Sequence, residues 1–185
     1  VNPTENVAGQ IDKATLTATN TAAATKTYDG NTTAAITGTL TGLVNGETAG
    51  FSQSGTFDSA NAGVRTVAVA NSVAFTGSAL ADNYTLVNPT ENIAGQIDKA
   101  TLTATNTAAA TKTYDGNTTA AITGTLSGLV NGESLTFTQT GSFDSANAGA
   151  RNVAVVNAVA DNGATLASNY KLVNPTETVV GQIDK

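Results

Sequence analysis

Apolar and polar residues alternate along most of the chain, which is the pattern of half-buried β-strands. Leu16 and Ala18 lie on one face of the predicted strand, and the threonines that alternate with them lie on the other. The segment that contains Val67 and Val69 predicts the longest strand. No segment shows the 3.6-residue period of an amphipathic helix, so we expect at most a single helical turn, near residues 59–63. The pattern therefore predicts an all-β fold.

The chain repeats itself with a period of 86 residues. The sequence VNPTENVAGQIDK at 1–13 returns with few changes at 87–99 and 173–185. Between residues 14–99 and 100–185, 66 of 86 positions are identical, without insertion or deletion. A period of this length suits a small autonomous domain. We therefore divide the chain into residues 1–13, the C-terminal strand region of a preceding repeat, followed by repeats at 14–99 and 100–185.

Each repeat has room for about seven short strands between turn residues. Seven strands on this scale are typical of an immunoglobulin-like β-sandwich, whereas a β-grasp fold would need a true helix. We therefore predict two tandem immunoglobulin-like β-sandwich repeats. Between Ile97 and Leu102 the chain has no Gly, Pro or Ser. Without a flexible linker, we expect the last strand of one repeat to lead directly into the first strand of the next.

Composition narrows the possible functions. The chain has 8 basic and 14 acidic residues, a net charge of −6, and no His, Cys, Met or Trp. Its cations are scattered singly, which argues against nucleic acid or an anionic membrane surface as a partner. Neither thiolate nor imidazole chemistry is possible, and we find no nucleophile elbow or phosphate loop. We therefore expect no enzyme activity, no cofactor and no metal.

No apolar run is long enough for membrane insertion, and the chain has the character of an excerpt from a longer protein.

The dipeptides Asp29-Gly30 and Asp115-Gly116 are the sharpest local signals in the sequence. Asp-Gly between two strands predicts a hairpin turn in which glycine takes a positive φ and aspartate caps the backbone. We interpret both pairs as structural turns.

Lys26 and Lys112 precede these turns and raise a second possibility. A buried lysine beside Asn and a carboxylate could form an intramolecular isopeptide bond, as in some surface adhesins. The simpler interpretation, which we favour, is that the lysine stem packs over a sheet edge while its ammonium group stays in water.

Calcium at a repeat junction is another possibility. Asp12 and Asp98, together with Glu5 and Glu91, could meet there. No loop has the closely spaced carboxylates of a D-x-D-x-D-G site, so we do not favour calcium.

Several motifs resemble those of one known family. The run at 26–35, KTYDGNTTAA, resembles the K-x-Y-D-G-x-T-x-A signature of YDG-type repeats, and GTLTG at 38–42, FDSANAG at 57–63 and NYTL at 83–86 follow in that family's order. YDG-type repeats occur in large bacterial surface exoproteins, including filamentous-haemagglutinin-like adhesins exported by two-partner secretion. The resemblance implies an extracellular, repetitive and non-catalytic role, and it supplies no ligand. GQIDK at 95–99 departs from the family because it lacks the proline common at the domain junction.

We therefore expect a structural stalk that projects an adhesive region away from a bacterial cell. Its partners would be the neighbouring repeats of the same chain, with host or surface glycans and proteins contacted by other regions. The alternative is that each repeat is itself a carbohydrate- or protein-binding module that acts by multivalency. A binding site would normally expose clustered aromatic or Arg side chains, and each repeat has a single Arg, Arg65 or Arg151.

Overall fold

β-Strands make up most of the computed structural model, which describes residues 4–76 and 81–185. The first repeat contains eight of them within the described residues: β1 (Ala14–Ala23), β2 (Lys26–Thr27), β3 (Thr33–Ala34), β4 (Ile36–Thr41), β5 (Ala49–Phe57), β6 (Gly63–Phe75), β7 (Tyr84–Leu86) and β8 (Thr90–Asp98). The second repeat contains the equivalent eight: β9 (Ala100–Ala109), β10 (Lys112–Thr113), β11 (Thr119–Ala120), β12 (Ile122–Ser127), β13 (Thr136–Phe143), β14 (Gly149–Ala160), β15 (Tyr170–Leu172) and β16 (Thr176–Asp184). The all-β prediction is confirmed.

The helical turn lies elsewhere than the sequence suggests. Residues 60–62 form bends that lead into β6, and single 3₁₀ turns occur at Ala81–Asn83 and Ala167–Asn169. Each of these turns directly precedes a three-residue strand. The strand count exceeds the expected seven by one, because the segment after the Asp29-Gly30 turn is divided at Ala35 into two strands, β3 and β4.

Each repeat builds one three-stranded and one five-stranded sheet. In the first repeat the orders are β4-β1-β7 and β2-β8-β6-β5-β3, and in the second they are β12-β9-β15 and β10-β16-β14-β13-β11. Most neighbouring strands are antiparallel. The exceptions are the pairs β1 with β7 and β2 with β8, which are parallel, and their equivalents in the second repeat.

The apolar phase of the alternating pattern forms the core. In the second repeat a cluster on β11, β13, β14 and β16 comprises Ala120, Phe143, Val153, Val155 and Ile183. Their equivalents in the first repeat are likewise buried. Burying one Val, Ile or Phe side chain contributes about 1.5–3 kcal/mol, so these short strands are stabilised mainly by the face that they share.

The chain forms two compact units whose limits differ slightly from those of the repeats. The first unit comprises Val1–Thr25, Thr32–Ser59 and Val64–Gln96. The second comprises Lys26–Asn31, Ala60–Gly63 and Ile97–Lys185. Two short segments of the first repeat and its last three residues, 97–99, therefore belong to the second unit.

Residues 4–13 show how strongly strand formation depends on context. They form no strand, and Ile11 is 99% exposed. The same sequence motif forms β8 in the first repeat, where the equivalent Ile97 is fully buried. The motif therefore becomes a strand where the sheet that it joins is present.

Candidate functional site

The Asp-Gly loops are turns, but they do not close hairpins. Gly30 has φ +75° and Gly116 has φ +78°. The Asp29 carboxylate accepts hydrogen bonds from Asn31 N–H (3.1 Å) and Asn31 Nδ2 (2.8 Å). β2 and β3, which the loop connects, lie at opposite edges of the five-stranded sheet. The expected hairpin is therefore wrong, because β2 pairs with β8 and β3 pairs with β5.

Lys26 closes the same loop by an ion pair. Its Nζ lies 2.6 Å from Asp29 Oδ1 and donates to Asn31 O (3.0 Å) and Asn31 Oδ1 (2.9 Å). Burial tends to raise the pKa of Asp29, but the hydrogen bonds from Lys26 and Asn31 outweigh it and lower that pKa. The Nζ atom of Lys26 is thus engaged by Asp29 and Asn31 within its own turn. The same ion pair joins Lys112 and Asp115 at 2.6 Å. Each lysine therefore lies where its ion pair can stabilise its own turn.

The carboxylates considered for calcium occupy different environments. Glu91 accepts hydrogen bonds within its own repeat, from Thr21 Oγ1 and Asn71 Nδ2, both at 2.9 Å. Asp98 and Asp12 are exposed. Within residues 4–76 and 81–185, no group of three or more acidic side chains is arranged to hold a metal ion. The same residues include no helix with the length and apolar character needed to cross a membrane.

A tyrosine of the first repeat is enclosed within the second unit. Tyr28 Oη donates to Glu133 Oε1 (2.6 Å), and the Tyr170 hydroxyl donates to the other oxygen of the same carboxylate. The rings of Tyr28 and Tyr170 meet edge to face with centroids 5.4 Å apart. Tyr28 is only 7% exposed. Burial and the neighbouring Glu133 carboxylate raise its pKa from 10.0 to about 12.

Two asparagines complete the contacts around Tyr28. Asn131 Nδ2 donates to Asp29 O (2.8 Å). Asn169, which is 2% exposed, accepts from Ala62 N–H (2.9 Å) and donates to Asn61 Oδ1 (3.0 Å). A buried amide is costly unless it is hydrogen-bonded, so these bonds fix the position of the segment Ala60–Gly63 in the second unit.

A ring of polar side chains crosses the middle of each repeat. In the second repeat, Gln139 Nε2 donates to Asn157 Oδ1 (2.8 Å) and Thr107 Oγ1 (3.3 Å). Glu177 Oε1 then accepts from Thr107 Oγ1 (2.8 Å) and Asn157 Nδ2 (2.7 Å). The first repeat has the same ring, formed by Thr21, Gln53, Asn71 and Glu91. A partly buried, hydrogen-bonded network of this kind favours one strand arrangement over others.

The first and last parts of each repeat run side by side in parallel. In the second repeat β9 pairs with β15 (Ala100 with Tyr170), and β10 pairs with β16 (Lys112 with Ile183). Between these pairs the Asn174 side chain accepts from Ala104 N–H and donates to Ala104 O, each at 2.9 Å. The amide thus continues the ladder where the chain passes from one sheet to the other. We call this line of contacts the parallel seam.

Sequence reasoning missed several of the residues that build these features. The inward phase of β14 runs Val153, Val155, Asn157, so a buried polar residue could have been inferred from the interrupted apolar pattern. Asn174 precedes a proline, so the local sequence predicts only a loop residue. Glu133 lies in a polar turn, where nothing local indicates a tyrosine partner.

Comparison with known proteins agrees with these observations. The model of the YDG domain matches residues 12–92 and again residues 98–178. Searches of curated proteins and of solved structures gave no significant match. The two matches together cover most of the chain, and each contains the lysine, the Tyr-Asp-Gly turn and the polar ring described above. The chain therefore belongs to the YDG domain family and carries two copies of that domain.

Proposed function

We propose that these repeats are structural spacers in the stalk of a large bacterial cell-surface adhesin. Each repeat would be an immunoglobulin-like sandwich, located outside the cell, that holds an adhesive region at a distance from the membrane. Such a stalk has to transmit tension along the chain without unfolding. The observation that supports this role is the parallel seam.

The seam determines how a repeat responds to tension. The chain enters the second repeat through β9 and leaves through β16. Pulling on the two ends draws the first and last segments past one another along their length. Evenly spaced hydrogen bonds of a parallel ladder then bear the load together, whereas an antiparallel hairpin pulled at its open end loses its bonds one at a time. The seam therefore gives each repeat high resistance in the direction in which a stalk is loaded.

Side chains reinforce this arrangement at the centre of the repeat. Asn174 adds two hydrogen bonds where the backbone ladder is interrupted. Three residues further along, Glu177 accepts from Thr107 on the opposite side of the seam. The first repeat has the same contacts through Asn88 and Glu91. Both copies are thus built alike, as an array of load-bearing units requires.

Single-molecule force spectroscopy tests the proposal. Stretched between its ends, the chain should show two unfolding events, each releasing roughly 300 Å of contour length for 86 residues. Because the chain has no cysteine, Thr136→Cys and Ala160→Cys supply unique handles for a comparison. These residues are paired at one end of β13 and β14, so pulling on them unzips the pair. We expect the end-to-end force to be clearly higher than the unzipping force.

Asn174→Ala should lower one of the two end-to-end unfolding forces and leave the other unchanged. Thr178→Ala, an exposed site on β16, is the matched control and should leave both unchanged. End-to-end unfolding at or below the unzipping force would contradict a load-bearing role. Saturable binding of the same chain to a glycan array would instead favour the multivalent binding module.

A further inference from the structure

Two features that meet inside the second unit are each present twice in the sequence. We call one the knob: Tyr28, Asp29, Asn61 and Ala62 in the first repeat, and Tyr114, Asp115, Asn147 and Ala148 in the second. We call the other the cup: Asn45, Glu47, Asn83 and Tyr84 in the first repeat, and Asn131, Glu133, Asn169 and Tyr170 in the second. All eight residue types are identical between the copies.

One knob is enclosed and the other is exposed. Tyr28 is 7% exposed, because it packs on Tyr170 and donates to Glu133. Tyr114, at the equivalent position, is 54% exposed and is among the large apolar side chains left on the surface. The difference does not arise from the sequence of the knob, which is the same in both copies. It arises because one knob has a cup against it.

The cups show the complementary difference. Asn169 is 2% exposed where it contacts Asn61 and Ala62. The equivalent Asn83 is exposed, and a surface pocket lined by Glu47 and Tyr84 remains beside it. Within that pocket Tyr84 already donates to Glu47, and Val44 N–H donates to Tyr84 Oη at 3.2 Å. The cup is thus formed before any tyrosine enters it, which lowers the ordering cost of binding.

We propose that the knob of the second repeat is a docking surface for the cup of a further copy of this repeat, placed directly after Lys185 in the same chain. The enclosed knob of the second unit supplies the geometry: tyrosine on a Glu–Tyr pair, and an Asn-Ala loop on the amide of an asparagine. Only Lys99 separates β8 from β9, and Lys185 occupies the same position after β16. A following copy would therefore be tethered by one residue, so its cup would have a high effective concentration at the knob.

Arg151 supports the docking surface from its own repeat. Its Nε donates to Asn147 O (3.0 Å), and its Nη2 donates to Ala148 O (3.3 Å). The loop that would meet the asparagine of the following cup is therefore held in place by the folded repeat. Gly116, next to Asp115, has open space where a Cβ would be, whereas a Cβ on Gly30 would lie 3.0 Å from Asn131 Nδ2. This is the contact that the following copy would provide to Gly116.

The test compares the 185-residue chain with the same chain extended at Lys185 by one more copy of residues 100–185. In the added copy the tyrosine that corresponds to Tyr114 is replaced by Phe, so that the peptide carrying Tyr114 has a mass of its own. Both are treated with tetranitromethane, and nitration of each tyrosine is followed by peptide mass spectrometry. In the unextended chain Tyr114 should react and Tyr28 should be protected. In the extended chain the nitration rate of Tyr114 should fall several-fold, towards that of Tyr28, in keeping with the difference between 54% and 7% exposure. Unchanged reactivity of Tyr114 after extension would overturn the proposal.

Matched variants locate the contact. In the added copy, Gln in place of the glutamate that corresponds to Glu133 should restore part of the reactivity of Tyr114. Glu47→Gln makes the same change in the cup of the first repeat, which is remote in sequence from the added copy, and should leave Tyr114 protected. Equal effects of the two variants would contradict the contact. The nitration rate of Tyr114 in the unextended chain is also measured at several protein concentrations. A rate that falls as the concentration rises would mean that the cup of another molecule binds the knob, and would overturn docking within the chain.

Discussion

Asn88 and Ala18 are joined by two hydrogen bonds, from Ala18 N–H to Asn88 Oδ1 (2.9 Å) and from Asn88 Nδ2 to Ala18 O (3.0 Å). A side-chain amide thus takes the place of a neighbouring strand's backbone. It does so between β7 and β8, where the chain leaves the three-stranded sheet and enters the five-stranded one. The parallel seam remains continuous across the change of sheet for this reason.

Asn88→Ala should therefore lower the free energy of unfolding of the first repeat. Two hydrogen bonds are lost and the partly buried polar groups of Ala18 are left without that partner, so we expect a cost of about 1–3 kcal/mol. Chemical denaturation followed by circular dichroism measures it. Asn92→Ala is the matched control, because Asn92 is exposed on β8 and its equivalent is already Thr178. If the two variants were equally stable, the hydrogen bonds between the Asn88 amide and Ala18 would not contribute to the stability of the seam.

Gly42 is required by a close approach of two backbones. It has φ +103°, and a Cβ at this position would lie 2.0 Å from Thr15 O. Gly42→Ala should therefore destabilise its repeat by more than ~2 kcal/mol, since both the conformation and the contact are unfavourable. Gly46→Ala provides the comparison: Gly46 has φ +71° with open space around it, so only the conformational strain of about 1–2 kcal/mol applies. Thermal melts of both variants measure the loss of stability. A larger loss for Gly46→Ala than for Gly42→Ala would contradict the importance of the close approach between Gly42 and Thr15.

The sequence predicts strands well and their partners poorly. Alternation identified Leu16, Val67 and Ile97 as core residues, and all three are fully buried, because a period of two depends only on neighbouring residues. Pairing depends on residues about 70 positions away, and local turn chemistry gave the wrong partner for β2. The Tyr-Asp-Gly turn was recognised as a turn. Its contact with Glu133 lies 105 residues away, and no local pattern encodes it.

Tyr28 should make stability sensitive to alkaline pH. Its pKa is raised from 10.0 to about 12, so the folded state holds the phenolic proton more tightly than the unfolded state. The resulting stabilisation is fully present below pH 10 and is lost as the pH rises through about 12. Tyr28→Phe keeps the ring but removes the proton, so its stability should decline less over this range. Urea denaturation at pH 9 and pH 11 measures the difference between the variant and the unmodified chain.

Tyr114→Phe is the control for that experiment. Tyr114 occupies the same position in its repeat but is exposed, so the variant should follow the unmodified chain at both pH values. Because each variant is compared with the unmodified chain at the same pH, pH effects that all three chains share cancel. Parallel pH profiles for Tyr28→Phe and the unmodified chain would show that the hydrogen bond to Glu133 does not hold the proton.

The three copies of the Gly-Gln-Ile-Asp-Lys motif provide a test of context with identical local sequence. Ile97 and Ile183 are fully buried in β8 and β16, whereas Ile11 is 99% exposed. Ile97→Ala should cost about 2–5 kcal/mol, because it removes a buried side chain and leaves a cavity. Ile11→Ala should change stability by no more than about 0.5 kcal/mol, as surface substitutions usually do. Denaturant unfolding of the two variants checks both values. Since propensity and sequence neighbours are the same at the two sites, the difference measures what the surrounding sheet contributes. A large loss of stability in Ile11→Ala would show that residues 4–13 pack against the folded chain.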